Sequence, residues 1–252
     1  MRKILWIAAM VLVLSPFVQW AQDWPFREGR DEPVPEFVFA RLIYSGRFGG
    51  FGRDWATDYP AADRKFMWGV QRLTNIRIRI EENAIRIMDP NLFKYPFLYV
   101  VEPGRGLVLS DVEAKRLREY VDRGGFMIFD DFWGTAQWRN FTNQMRKVFP
   151  DREIEPIPRD HEIFHTFYDI DSFIQVPNVG NGIRGGPTWQ SDGYVPQLLG
   201  IFDEKRRLNV AMSFNSDLGD AWEWMDHPQY PEKYSGYAYR IGVNFIIYAM
   251  TH

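Results

Sequence analysis

The chain has 252 residues, 46% of them hydrophobic and 25% charged, with a formal net charge of −3 and no cysteine. Such an apolar chain is not disordered, and without cysteine it has no disulfide scaffold, thiolate nucleophile or zinc ribbon. The slightly acidic balance argues against a nucleic-acid binder, and the length suits one globular domain.

Arg2 and Lys3 precede an unbroken apolar run over residues 4–14. A basic start before a short apolar run predicts a signal peptide over residues 1–21, with Ala21 at the cleavage position. The run is short for a membrane span, so an uncleaved signal is the one expected route to a membrane. The protein is therefore expected in the periplasm or secreted. Residues 22–35 are polar and rich in Pro, Glu and Arg, and read as a linker. Residues 36–252 read as a single α/β domain.

Residues 36–44 (EFVFARLIY) fit a first strand. The glycine-rich stretch after it lacks both phosphate-loop spacings, so its glycines are read as turn formers. Pro60 marks a helix start, with Phe66, Met67, Val70 and Leu73 at helical spacing behind it. Ile76, Ile78 and Ile80 alternate with Arg77 and Arg79, which predicts a half-buried strand. A short strand follows around 85–87.

Residues 97–101 (FLYVV) read as a strand covered on both faces. Ser110 and Glu113 form a capping box, and Val112, Leu117, Tyr120 and Val121 supply the buried stripe of the helix behind it. Gly124 and Gly125 stop that helix, and residues 126–129 (FMIF) form the next strand, completing a right-handed βαβ unit. A helix is expected over 135–149. Residues 150–194 read as a long loop with at most short elements. Residues 195–202 and 208–214 read as a hairpin, and a last helix spans 235–250. The alternation predicts a three-layer α/β sandwich, mainly parallel with an added hairpin.

In open α/β sheets ligands bind beyond the carboxyl ends of the strands. After the first strand that rule selects Tyr44, Ser45, Arg53, Asp54 and Trp55. After FLYVV it selects Glu102 and Gly104, and after FMIF it selects Asp130, Asp131, Trp133 and Gly134. After residues 209–214 it selects Asn215, Ser216, Asp217, Asp220 and Trp222. An edge this rich in carboxylates and tryptophans suits a cation, a cationic group, or a polyhydroxylated ligand stacked on aromatics. The competing reading is that Asp simply favours turns and helix caps. Asp131 and Asp217 are the carboxylate pair that could act as general acid and base.

His161 to His165 (HEIFH) matches the zinc-protease spacing, which works only on a helix. Pro156 and Pro158 lie just upstream and Thr166, Phe167 and Tyr168 are β-prone, so a loop is expected, with both histidines bonded to backbone, Asp160 or Asp169. His161 and His165 stay among the site candidates. No cofactor is expected, with a divalent metal as the alternative. No G-x-S-x-G elbow is present.

The stretches FVFARLIYSGRFGGFGRDWATDYPAAD, YPFLYVVEPGRGLVLSDVEAKRLREYVDRGGFMIFDD, IPRDHEIFHTFYDI and RIGVNFIIYAM resemble a bacterial domain of unknown function, family number 4159, over nearly all of residues 36–250. That family looks like a branch of the class I glutamine-amidotransferase-like superfamily, whose fold is a flavodoxin-like sandwich. Members often resemble DHPIFH where this chain has DHEIFH, which marks the zinc-protease match as coincidence. The resemblance implies that the strand after Gly-Gly ends where amidotransferases carry their cysteine. Here that strand ends in Asp130 and Asp131, so thiolate hydrolysis of glutamine is excluded. What remains is an exported binding or accessory protein of the cell envelope, with a carbohydrate ligand or an envelope protein as partner and no nucleic acid. The alternative is a carboxylate- or metal-dependent hydrolase.

Overall fold

The computed structural model describes residues 35–46 and 54–252. The expected signal peptide, the linker up to residue 34, and Arg53 lie outside the described residues. The first expected strand is two pieces, β1 (Phe37–Val38) and β2 (Arg41–Ile43), which join different sheets. Helix α1 (Ala61–Leu73) follows Pro60. The alternating isoleucine stretch yields only β3 (Ile78–Arg79), which pairs in parallel with β1 in a two-stranded sheet. Its arginines turn outward to Glu36 and Glu81, while Ile76 and Ile78 pack against the core, so the alternation is real but the main sheet does not receive it.

Among the described residues the main sheet has seven strands. Besides β2 they are β4 (Ala84–Arg86), β5 (Phe97–Val101), β6 (Phe126–Phe132), β7 (Glu155–Pro156), β8 (Gln197–Phe202) and β9 (Leu208–Phe214). Their order is β4-β2-β5-β6-β9-β8-β7. Neighbours from β4 to β9 are parallel, and β8 and β7 extend the sheet antiparallel. This is a mixed α/β fold with a mostly parallel central sheet.

The helices after α1 are α2 (Pro103–Gly106), α3 (Asp111–Asp122), α4 (Gly134–Val148), α5 (Val179–Arg184), α6 (Leu218–Glu223) and α7 (Glu232–Thr251). Residues of β5 alternate between two cores. Phe97, Tyr99 and Val101 pack with residues of α1, α6 and α7, whereas Leu98 and Val100 pack with residues of α3 and α4. That is why FLYVV is apolar throughout: each burial stabilises by roughly 1.5–3 kcal/mol and both faces are covered. The capping box holds, with Ser110 N donating to Glu113 Oε2 at 2.9 Å and Glu113 N to Ser110 Oγ at 3.3 Å.

The parallel strands, taken in chain order, lie as 2-1-3-4-5 across the sheet. The chain turns from β2 to β4 on one side and reaches β5 on the other. Between their carboxyl ends a crevice opens, and residues that follow β2, β5, β6 and β9 converge there.

Candidate functional site

Five carboxylates line one cavity of about 300 Å³ at this edge: Asp58, Glu102, Asp131, Asp217 and Asp220. Thr57, Arg105, Trp133 and Gln137 complete it from the strand ends and helices, and Asn178 and Gln190 come from the long segment before β8. Among the described residues Arg105 is the one cationic member of the lining, and its Nη1 is spent on Glu102 Oε1 at 2.6 Å.

Each acid is placed by a specific backbone device. Asp58, Glu102 and Asp131 all have positive φ, at 61°, 46° and 53°. Left-handed backbone is costly for residues with a Cβ, and Asp tolerates it better than Glu. Arg41, from β2, fixes the segment that carries Asp58. It is fully buried and its Nη1 donates to Thr57 O at 2.6 Å, while Nε and Nη2 bind Asp63. Burial opposes the guanidinium charge, but Asp63 more than restores it and raises the pKa. Asp217 caps α6 by accepting from Asp220 N at 2.8 Å. Asp131 Oδ1 accepts from Trp133 Nε1 at 2.7 Å.

Mutual repulsion marks the electrostatics. Burial, then Glu102, push Asp131 well above the usual carboxylate range. Burial, then Asp131, do the same to Asp217, and burial, then Asp220, to Asp58. Glu102 is raised by burial against the opposing pull of Arg105. Raised values of this kind favour the protonated, uncharged carboxyl.

Several expected site residues serve the scaffold instead. Asp130 points into the core: its Oδ2 accepts from Tyr99 Oη at 2.7 Å and from Leu218 N and Gly219 N at 2.9 and 3.1 Å, which fastens α6 to β6. Burial pushes its pKa up to about 7. Trp222 is 1% exposed and stacks on Phe66 at 4.1 Å, so it packs in the core and does not face a ligand. Tyr44 donates to Val101 O at 2.8 Å and Trp55 packs on Tyr59. Asp54 lies against Gly106, where a Cβ would sit 1.8 Å from its Oδ2. Asn215 ties the start of α4 to the segment before β8, accepting from Gly134 N and donating to Val195 O.

His161 and His165 do not join the pocket. They flank a single 3-10 turn, Glu162–Phe164, so the helical face that zinc needs is missing. His161 Nδ1 accepts from Ile163 N, and its ring packs on Phe202 and Tyr248 at the opposite edge of the sheet. His165 Nδ1 meets Asp169 Oδ1 at 2.8 Å.

The model of a family described as a domain of unknown function (DUF4159) matches residues 38–250. The chain belongs to this family. No curated protein matches it. The matched span carries every pocket residue of the domain. Of those, Glu102, Asp131, Trp133, Asp217 and Asp220 follow from the strand-end rule. Asp58 lies three residues beyond Trp55, where the same rule, carried a little further, reaches it. Asn178 and Gln190 had no signal, because they sit in a segment without periodicity.

Proposed function

We propose that this domain is an exported ligand-binding protein whose acidic pocket captures a group bearing a protonated nitrogen, such as a basic side chain or an amino sugar. The convergence of five carboxylates on one cavity, with Arg105 as its only cation among the described residues, carries the reading. A bound ammonium or guanidinium would accept hydrogen bonds from none of them and donate to several, offsetting the burial, and the repulsion second to it, that raise their pKa values. The 2-1-3-4-5 strand order supports a flavodoxin-like three-layer arrangement, in which ligands sit at this switch point. In the amidotransferase-like reading, Asp131 stands at the end of the nucleophile strand. With no cysteine in the chain, capture without thiol chemistry is what that position would serve. Export and an envelope role rest on the basic-then-apolar start of the sequence.

Calorimetric titration with arginine, spermidine, glucosamine and glucose tests this. Saturable binding of the cationic compounds, lost in Asp131→Asn, is expected. Preference for neutral glucose, or cation binding indifferent to Asp131→Asn, refutes it.

One observation favours a second reading. Asp131 combines left-handed backbone at a strand end with a raised pKa beside Glu102. A protonated carboxyl next to a carboxylate is a general acid–base pair in hydrolases. Turnover of a glycoside, ester or phosphate that disappears in Asp131→Ala would support it.

A further inference from the structure

We infer that Asp58, Asp220 and Glu223 form a binding site for one calcium ion at the inner corner of the pocket. The inference rests on the reading of this pocket as a cation site, since Asp58 and Asp220 both line it. Each of the three offers a carboxylate oxygen, and those oxygens lie within 4.8 Å of one another. Calcium makes oxygen bonds of about 2.3–2.6 Å, so one ion can bridge oxygens at that spacing. Asp220 and Glu223 stand three apart on α6 and therefore share a helix face, and Asp58 meets them from the segment before α1.

The second observation is the state of Asp58. Its Oδ2 is shut off from solvent and has no hydrogen-bond partner. A sealed carboxylate oxygen without a donor is costly, and a cation is the partner that removes the cost. Asp220 uses Oδ2 to accept from Val179 N at 2.6 Å, and Glu223 uses Oε2 to accept from Trp224 Nε1 at 3.0 Å. Two of the described cations near the cluster already have partners. Arg41 is bound to Asp63, and Lys65 Nζ to Asp226 Oδ1 and Glu223 O. An all-oxygen set with no histidine selects a hard ion over zinc.

The test uses the full chain, stripped of metal with a chelator and then dialysed. Calcium is titrated by calorimetry, and thermal unfolding is followed with and without it. One equivalent should bind and raise the unfolding temperature. Asp58→Asn and Glu223→Gln should each weaken binding roughly tenfold or more, while Asp151→Asn at the opposite edge leaves it unchanged. Cooperative unfolding of the metal-free variants shows that they fold. Absence of calcium binding by folded wild-type protein, or variants that bind as wild type does, overturns the site. Tighter binding of magnesium or zinc overturns the assignment to calcium. Titration of the same preparations with arginine separates the two readings. Arginine binding without calcium binding removes the metal site alone, and failure of both removes the pocket reading as well.

Discussion

The two edges of the main sheet carry similar numbers of acids and use them in opposite ways. At the amino edge acids are paired with arginines: Asp151 and Asp122 bind Arg118, Arg152 also reaches Asp122, and Arg206 binds Glu155. Hydrogen bonding from Arg118 holds the Asp151 carboxyl below the usual range. At the carboxyl edge five acids face one cavity, and burial together with their own neighbours lifts them. Charges at the first edge are already satisfied by the fold. Those at the second are met only in part, as by Arg105 at Glu102, and raised carboxylates gathered in one cavity mark a candidate site.

Substitutions can break or sharpen this contrast. The largest effect is expected where a residue looks like site but is core. Trp222→Ala should cost about 3–5 kcal/mol in urea unfolding, because it empties a packed aromatic cluster. A loss below about 1 kcal/mol would return Trp222 to the ligand surface.

The next effect is a dependence on pH. The folded-state pKa of Asp130 is raised to about 7, above the roughly 3.9 of an unfolded Asp. The folded state therefore holds the proton more tightly. The stability Asp130 contributes is present below pH ~4 and is lost as pH rises towards about 7. Asp130→Asn should remove that share of the slope between these limits. Parallel stability curves for wild type and variant across that window would refute it.

Smaller and opposite in sign is Asp131→Asn. Removing one mutually repelling acid should stabilise the protein at pH 8 by on the order of 1 kcal/mol, or ~2–4 °C, while ligand capture is lost. A drop in unfolding temperature would place Asp131 among the scaffold residues. Asp151→Asn, at the satisfied edge, should cost under ~1 kcal/mol and diminish further at high salt. His165→Ala should fall within about 0.5 kcal/mol of wild type, and a larger loss would contradict its exposed, local bonding to Asp169.

The parts of the fold legible in sequence are those whose local pattern and tertiary burial agree. β5, the start of β6, α3 with its capping box, α4 and α7 are of this kind. The first strand misled because its apolar residues run straight through a change of sheet at Phe39 and Ala40. Helix α2, with sequence PGRG, has no apolar period, and α6 is only six residues long. For the site, the strand-end rule supplied the right edge and three of its central acids, Glu102, Asp131 and Asp217. It could not separate Asp131, which faces the cavity, from Asp130, which faces the core. Their φ values and hydrogen bonds decide that, and neither is encoded in the dipeptide itself. Nor could it reveal Arg41, a buried arginine inside an apolar run whose partner Asp63 is 22 residues away.

The left-handed residues at the pocket bear on how such a protein drifts. Asn tolerates positive φ as well as Asp does and has nearly the same shape. At positions 58 and 131 an Asp-to-Asn change therefore keeps the backbone, keeps the packing and relieves repulsion. Folding offers no resistance to that change and even rewards it. Within the family, then, retention of acid at these two positions would report selection on what the pocket holds, and a lineage released from that duty would lose the charges first while its fold persisted.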